Sequence, residues 1–188
     1  MSEIICGVDE VGRGPLAGDT YAAAVVLPPC FDLPGLNDSK KLSNKKREAL
    51  FPLIISQATA YGIASASVQE IEALGINEAI FTAMRRAVAA MGIIPERILV
   101  DGNAAPDFGD LHTEAIVGGD GIEPCIMAAS VLAKVTRDRY MDKMDQIYPG
   151  YFFAKNKGYG TKEHREQIKS IGLCSIHRLS YCKKTLEA

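Results

Sequence analysis

Apolar runs with the spacing of strands alternate along the chain with segments that have the spacing of helices. Five stretches with apolar or alternating patterns end in turn residues, and they predict strands at residues 4–8, 20–27, 59–67, 97–103 and 112–117. Helical spacing and capping residues predict helices at residues 44–56, 77–91 and 124–148, a short helix from Val68, and a helix that Thr161 caps and that reaches Ile171. This order predicts a mixed α/β layer fold.

The length of the chain fits one domain. Its 188 residues are enough to bury a sizeable core, and no linker or internal repeat divides them. We therefore predict a single domain over residues 1–188, with an α/β core at 1–148 and a basic helical tail at 149–188. Within that tail, residues 175–188 are interpreted as a polar ending.

Composition excludes several classes of protein. A hydrophobic fraction of 47% and a charged fraction of 23% are ordinary for a globular domain. No apolar run approaches the length of a membrane span and no secretory leader opens the sequence, so we expect a cytoplasmic protein without a membrane partner. The five cysteines form no C-x-x-C pair, which argues against a zinc site and against a disulfide framework.

The charge is unevenly distributed, although the formal net charge is only -2. Residues 150–188 hold eight Lys or Arg against three Asp or Glu, whereas the preceding part of the chain is acidic. A second basic cluster comprises Lys40, Lys41, Lys45, Lys46 and Arg47. A positive face for a polyanion and an ordinary solvated helix face explain residues 45–47 equally well.

Four acidic residues stand at or just past the ends of predicted strands: Asp9, Glu10, Asp101 and Asp120. Ligand sites of open α/β sheets lie at such ends. Carboxylates without a His or Cys set suit Mg²⁺ or Mn²⁺, and two such ions about 3.5–4 Å apart promote phosphodiester hydrolysis. By itself, however, the Asp-Glu-x-Gly segment is more typical of a polar turn. The histidines have no obvious partner and are interpreted as surface or packing residues: His112, His164 and His177.

Seven segments of the chain share their order and spacing with one known family: residues 7–18, 37–43, 99–102, 119–120, 126–138, 157–161 and 176–178. On these segments the chain resembles ribonuclease HII, the type 2 ribonuclease H family, over essentially its whole length. The resemblance implies a ribonuclease H-like fold, with a mixed sheet of about five strands flanked by helices and a small helical C-terminal extension. It also favours a metal site at Asp9 and Glu10 over a polar turn.

The resemblance implies a metal-dependent endoribonuclease that uses Mg²⁺ or Mn²⁺ in a two-metal mechanism. Such an enzyme hydrolyses the RNA strand of RNA/DNA hybrids and incises at ribonucleotides embedded in duplex DNA, leaving 5′-phosphate and 3′-hydroxyl ends. The family pattern assigns metal binding and catalysis to Asp9, Glu10, Asp101 and Asp120. It assigns substrate binding to Gly12, Arg13, Gly14, Lys40, Lys41 and Tyr159.

The family pattern also assigns a role to each group of substrate-binding residues. The turn at residues 12–14 resembles the reader of the ribose 2′-hydroxyl, and Tyr159 resembles the aromatic residue that stacks on the following deoxyribose. Lys40 and Lys41 are expected to contact phosphates, and the basic tail would extend that contact. Residues 181–188 lack a glutamine-plus-aromatic clamp-binding peptide, and we expect the protein to act as a monomer.

Some positions depart from the family pattern, and two of them bear on the substrate. Asp19 stands where relatives usually carry proline, and Asn156 stands where histidine is common. Asp19 adds a negative charge near the site and Asn156 removes a possible phosphate donor, so both put substrate affinity in question.

Two other functions are consistent with this class of fold. A non-catalytic nucleic-acid module would bind in a salt-sensitive manner without cleavage. A small-molecule phosphate-binding protein would need a glycine-rich turn that leads directly into a helix, whereas the turn at residues 12–14 precedes a predicted strand.

Overall fold

A mixed sheet forms the middle of the computed structural model, which describes residues 3–187. Its strands are β1 (Ile5–Val11), β2 (Thr20–Val26), β3 (Ala60–Ala66), β4 (Arg97–Asp101) and β5 (His112–Ile116). The order across the sheet is β3-β2-β1-β4-β5. β2 pairs antiparallel with both β1 and β3, whereas β1, β4 and β5 run parallel to one another. The predicted mixed sheet of five strands is confirmed.

The helices follow the predicted order closely. They are α1 (Asn44–Gln57), α2 (Val68–Leu74), α3 (Ile76–Ala90), α4 (Pro124–Ile147), α5 (Phe153–Asn156), α6 (Lys162–Ile171) and α7 (Leu179–Leu186). The predicted caps are confirmed, because the hydroxyls of Ser43 and Thr161 accept hydrogen bonds from the first turns of α1 and α6. None of the helices within residues 3–187 combines the length and apolar character needed to cross a membrane.

The two faces of the sheet are covered by different helices. Cys6 and Val8 of β1 pack with the apolar face of α3, whereas Leu99 of β4 packs against the start of α4. A side chain at Gly7 would not fit beneath α4, since a Cβ atom there would lie 2.3 Å from the backbone carbon of Cys125. Successive residues of a strand point to opposite faces. Asp9 therefore shares the α4 face with Gly7, and Glu10 shares the α3 face with Val8.

The tail packs more extensively than its composition predicts. Residues 175–188 were interpreted as a polar ending, but they contain α7, in which Cys182 and Thr185 are buried; residue 188 lies outside the described part of the chain. Cys182 belongs to a separate apolar cluster with Leu16 and Ala17 of the opening segment and with Phe153. The interpretation of these residues as a polar ending was wrong, because the short helix packs through only a few buried positions.

The start of α2 is stabilised by a cap whose contribution can be measured. Ser67 and Glu70 form a capping box, in which the Ser67 hydroxyl accepts from the Glu70 amide at 3.2 Å and the Glu70 carboxylate accepts from the Ser67 amide at 2.8 Å. We expect Ser67→Ala to lower the free energy of unfolding by about 1 kcal/mol. Urea denaturation measures this loss. Ser56→Ala, within α1, is the matched control and should change stability by less than about 0.5 kcal/mol; equal losses in both variants would contradict the cap.

Candidate active site

Three carboxylates converge at one edge of the sheet. Asp9 lies near the end of β1, Asp101 is the last residue of β4, and Asp120 lies in a 3-10 turn shortly after β5. Because these three strands are parallel, their carboxyl ends lie at the same edge. One carboxylate oxygen from each residue lies within 4.8 Å of the other two. We call Asp9, Asp101 and Asp120 the acid cluster.

Glu10 lies beside the acid cluster but is not a member of it. It projects from the opposite face of β1, where its carboxylate accepts from Arg13 Nε at 3.4 Å. Glu10 and Asp101 both line a cleft of about 480 Å³, together with Arg13. The structure thus brings three of the four predicted acids together and places the fourth in the adjoining cleft.

The electrostatics of the acid cluster favour a bound cation. Burial, followed by the charges of Glu10 and Asp101, raises the pKa of Asp9 well above its ordinary value. Burial also raises the pKa of Asp101, and the charge of Asp120 acts in the same direction. Each ionised carboxylate therefore disfavours ionisation of its neighbours unless a positive charge is present. All the donors of the cluster are oxygens, which is the donor set that divalent Mg²⁺ and Mn²⁺ accept.

The loop at residues 38–41 brings further groups to the acids. Lys40 Nζ donates to Asp120 Oδ2 at 2.9 Å, and this hydrogen bond raises the pKa of Lys40. The Ser39 and Ser130 hydroxyls lie 2.8 Å apart, and the nearby Ser130 side chain acts to lower the pKa of Asp9, against the larger effect of burial. Lys41 is exposed, with its Nζ 3.9 Å from Asp38. The family pattern assigned Lys40 and Lys41 to substrate binding. The serine contacts were not predicted, because they depend on the packing of this loop against α4.

The Gly-Arg-Gly turn (residues 12–14) is held by buried arginines. Arg178 donates to the carbonyl of Gly12 at 2.7 Å and to that of Arg13 at 3.1 Å. Gly12 has φ +103, and a Cβ atom there would lie 2.5 Å from Arg137 Nε. Only glycine adopts such a backbone readily with another group this close. On the cleft side, Arg13 Nη1 donates to Asn77 Oδ1 at 2.5 Å.

Tyr159 lies next to this turn although 145 positions separate it from Gly14 in the sequence. Its side chain is 41% exposed, and its Cε1 atom lies 4.0 Å from where a Cβ atom of Gly14 would be. The Arg137 guanidinium carbon lies 5.9 Å from the centre of the ring. Arg137 also donates to the carbonyls of Ala17 and Lys157, so one buried guanidinium joins the opening segment to the loop that carries Tyr159.

The structure assigns roles to the two unusual residues. Asn156 is buried, donates to the Tyr151 carbonyl at 2.7 Å and accepts from the Gly158 amide at 2.8 Å. Both ends of its amide are engaged within the loop, and the effect of this departure on substrate affinity stays a prediction. The Asp19 carboxylate accepts from the Val68 amide at 3.1 Å, and its charge interacts favourably with the buried Arg137 and Arg178.

Two of the three histidines have a partner that the sequence did not reveal. His164 and His177 face each other inside the tail, with their Nε2 atoms 3.1 Å apart. The prediction of packing residues was correct for both, but the absence of a partner was wrong. Their separation of 13 positions in different elements gives no periodic signal that would pair them.

Comparisons with known proteins agree with this geometry. The family profile described as Ribonuclease HII matches residues 6–184. Ribonuclease HII of Marinomonas sp. (strain MWYL1) is 53% identical over 189 residues, covering 100% of this chain and 95% of the relative. Ribonuclease HII of Burkholderia mallei (strain SAVP1) is 51% identical over 179 residues, covering 95% of this chain and 83% of the relative.

Solved structures show the same fold. Ribonuclease H2 from Pyrococcus horikoshii OT3 superposes with a TM-score of 0.80 at 26% identity, covering 97% of each chain. The structure of a PCNA:RNase HII complex from Archaeoglobus fulgidus gives a TM-score of 0.77 at 25% identity, covering 95% of each chain. The Bst-RNase HIII structure in complex with Mn²⁺ gives 0.72 at 17% identity and covers 99% of this chain and 70% of that one, which is a likeness of fold.

Proposed function

Because this chain belongs to the ribonuclease HII family, we propose that it both cleaves RNA/DNA hybrids and incises at single ribonucleotides in duplex DNA. It is a hydrolase, an endoribonuclease acting on RNA paired with DNA. The finer proposal is that cleavage leaves 5′-phosphate and 3′-hydroxyl ends and uses two divalent cations. The proposed cleavage activity is supported by one observation. A cleft lined by Glu10, Arg13 and Asp101 connects the acidic residues with the Gly-Arg-Gly turn.

The acids have distinct parts in the proposed mechanism. Asp9, Asp101 and Asp120 would hold a divalent cation between them, and Glu10 would contribute from the cleft side of β1. When bound, the cations supply an activated water and stabilise the leaving oxygen. Lys40 lies beside Asp120 with an exposed side chain, where its positive charge can meet the phosphate that approaches the acids. Lys41 and the basic tail would hold the flanking phosphates.

Selection is proposed to depend on the Gly-Arg-Gly turn and Tyr159. The carbonyls of Gly12 and Arg13 are engaged by Arg178, so the turn is held in one conformation, with Arg13 lining the cleft. A ribose 2′-hydroxyl both donates and accepts hydrogen bonds, and it is the group that distinguishes RNA from DNA at one nucleotide. The exposed ring of Tyr159 beside Gly14 gives the following deoxyribose a surface to stack on.

We further propose that the protein acts as a cytoplasmic monomer. The complex with PCNA belongs to the relative from Archaeoglobus fulgidus. Cleavage of a short duplex by the purified protein, without an added clamp, tests this proposal.

Substitution of Tyr159 tests the selective part of the proposal. A duplex with one ribonucleotide and a uniform RNA/DNA hybrid, each with Mg²⁺ or Mn²⁺, should both be cut by the unaltered protein. We expect Tyr159→Ala to lower kcat/KM on the single-ribonucleotide duplex by about 5-fold to 150-fold, since stacking on an aromatic ring is worth about 1–3 kcal/mol. Cleavage of the uniform hybrid should change less than threefold (roughly 0.6 kcal/mol).

Two further variants control this measurement. Tyr159→Phe keeps the ring and should cleave both substrates as the unaltered protein does. Tyr61→Ala removes another partly exposed tyrosine, on the outer strand β3, and should leave both rates unchanged. If Tyr159→Ala lowers kcat/KM equally on both substrates, selection by Tyr159 is rejected. If the unaltered protein shows no metal-dependent cleavage, the proposed activity is rejected.

A further inference from the structure

A pair of buried histidines lies directly behind the loop that carries Tyr159. His164 is 0% exposed and His177 is 3% exposed, and their Nε2 atoms lie 3.1 Å apart. The rings of Phe153 and Tyr151 enclose them, with centroids 5.4 Å from His164 and 4.8 Å from His177, respectively. Neither histidine belongs to the acid cluster, and the proposed mechanism does not use them.

The outer nitrogens of the pair contact two different loops. His164 Nδ1 lies 2.9 Å from the carbonyl oxygen of Tyr159, and the Cys174 amide lies 3.0 Å from His177 Nδ1. A backbone amide only donates and a carbonyl only accepts. His164 Nδ1 must therefore donate to Tyr159, so in the neutral ring its Nε2 accepts from His177 Nε2 at 3.1 Å. His177 Nδ1 then carries no proton and accepts from the Cys174 amide, although it also lies 3.1 Å from Cys174 Sγ and 3.3 Å from the Cys174 carbonyl oxygen.

This arrangement requires both rings to be neutral, and their surroundings keep them so. Burial lowers the pKa of His177 to about 4, and the proximity of His164 acts in the same direction. Burial likewise lowers the pKa of His164, with a smaller contribution in that direction from the charge of Arg165. Two protonated rings would place two N–H donors against each other, which the 3.1 Å contact does not allow.

The pair connects the two elements that are proposed to select the substrate, which are Tyr159 and the Gly-Arg-Gly turn. One end fixes the backbone of Tyr159, in a loop where Lys157 and Gly158 have φ values of +51 and +82. The other end is fixed to Cys174, four positions before Arg178, which holds the carbonyls of Gly12 and Arg13. The same short segment therefore sets the position of the tyrosine and the shape of the Gly-Arg-Gly turn.

We propose that His177 and His164 form a positioning relay that fixes Tyr159 relative to the Gly-Arg-Gly turn and thereby sets the preference for an RNA-to-DNA junction. This inference rests on the proposed role of Tyr159. Neither histidine touches the substrate, and both act through the backbone of the loop. Loss of the Tyr159 contact should therefore reduce the preference for a junction without reducing the chemistry that the acids perform.

Two amide substitutions at His164 separate the ends of the relay. An asparagine amide nitrogen can replace Nδ1, so His164→Asn should keep the bond to Tyr159 and lose the bond to His177. A glutamine amide reaches the position of Nε2, so His164→Gln should do the opposite. We expect His164→Gln to reduce the kcat/KM ratio of single-ribonucleotide duplex to uniform hybrid by about tenfold, the upper worth of one hydrogen bond. In His164→Asn the bond to Tyr159 remains but the link to His177 is lost, so the ratio should lie between those of His164→Gln and the unaltered protein.

Each outcome of the kinetic comparison decides the proposal. If the ratio is unchanged in His164→Gln while the melting temperature falls, or if both substrates lose activity equally, the pair has a structural role and the relay is rejected. If Tyr159→Ala also leaves the ratio unchanged, the proposed function of Tyr159 fails together with the relay. If Tyr159→Ala lowers the ratio and His164→Gln does not, the relay alone fails.

Nitrogen NMR of the unaltered protein tests the relay even if a variant does not fold. At neutral pH, the imidazole ¹⁵N shifts should show His164 protonated on Nδ1 and His177 protonated on Nε2, with neither ring charged. His112 is exposed and provides the reference ring in the same spectrum. The same tautomer on both rings, or a charged ring at neutral pH, would overturn the relay.

Discussion

Asp9→Asn should abolish metal-dependent cleavage and leave the metal-free protein at least as stable as before. A cation-centred site supplies several kcal/mol of transition-state stabilisation, so losing one of its proposed ligands should lower kcat by on the order of 10³-fold or more. Asp9 is 3% exposed and accepts from the Glu10 amide at 2.7 Å. Asparagine has the same shape and retains this oxygen acceptor, so the backbone contact is preserved.

The expected gain in stability of Asp9→Asn follows from the direction in which the Asp9 pKa is shifted. Because burial and neighbouring carboxylates raise this pKa in the folded protein, the folded state binds the proton more tightly than the unfolded state does. The ionised carboxylate therefore destabilises the metal-free fold, and increasingly so as pH rises through the folded pKa. Asn removes that cost at neutral pH, and its advantage should shrink as pH falls towards the ordinary Asp pKa of about 4.

Three measurements check this prediction. Single-turnover cleavage gives the loss of rate, titration calorimetry with Mn²⁺ gives the loss of cation binding, and thermal unfolding in a chelator gives the stability. Asp110→Asn removes an exposed carboxylate and should change none of the three. Retained cleavage, or a large loss of stability in the chelator, would contradict the role of Asp9.

Arg178→Met should cause the largest loss of stability of the substitutions considered. Arg178 is 0% exposed, and its guanidinium donates to the carbonyls of Gly12, Arg13 and Gly18 at 2.6 to 3.1 Å. Methionine fills similar space but leaves these carbonyls without their donor. Removing one partner from a buried charged network costs about 3–5 kcal/mol, so we expect a loss of that size with an intact sheet.

Denaturant unfolding of Arg178→Met measures this effect. Arg139→Met is the matched control, because Arg139 forms an exposed ion pair with Glu48, and such pairs are worth about 1 kcal/mol or less. Arg178→Lys should also lose stability, since an ammonium group cannot reproduce the planar fork that reaches several carbonyls. Equal small losses in the Arg178 and Arg139 variants would show that these carbonyls find other donors.

The sequence predicted the elements better than their long-range contacts. Strand alternation, helical spacing and caps such as Ser43 depend on neighbouring residues, and the structure has these elements within a few positions of the predicted bounds. The convergence of Asp9, Asp101 and Asp120 was also predictable, because the ends of parallel neighbouring strands meet. The position of Glu10 carried a signal that was not used, since adjacent strand residues point to opposite faces.

The remaining contacts could not be predicted from local pattern. The bonds from Arg178 to Gly12 and from Arg137 to Ala17 join residues 166 and 120 positions apart, and nothing in the spacing of either segment encodes them. The contacts of Asn156 and of the His164–His177 pair could not be predicted for the same reason. These groups are polar residues buried by tertiary packing, which composition alone would assign to the surface.

The long span between Arg178 and Gly12 also constrains the order in which the protein can mature during synthesis. The strand that carries Asp9 is made first and can pair with β2 at once, because such a hairpin closes over few residues. The Gly12 carbonyl cannot gain its guanidinium partner until residue 178 has left the ribosome. A nascent chain should thus acquire its sheet before the turn takes its final shape.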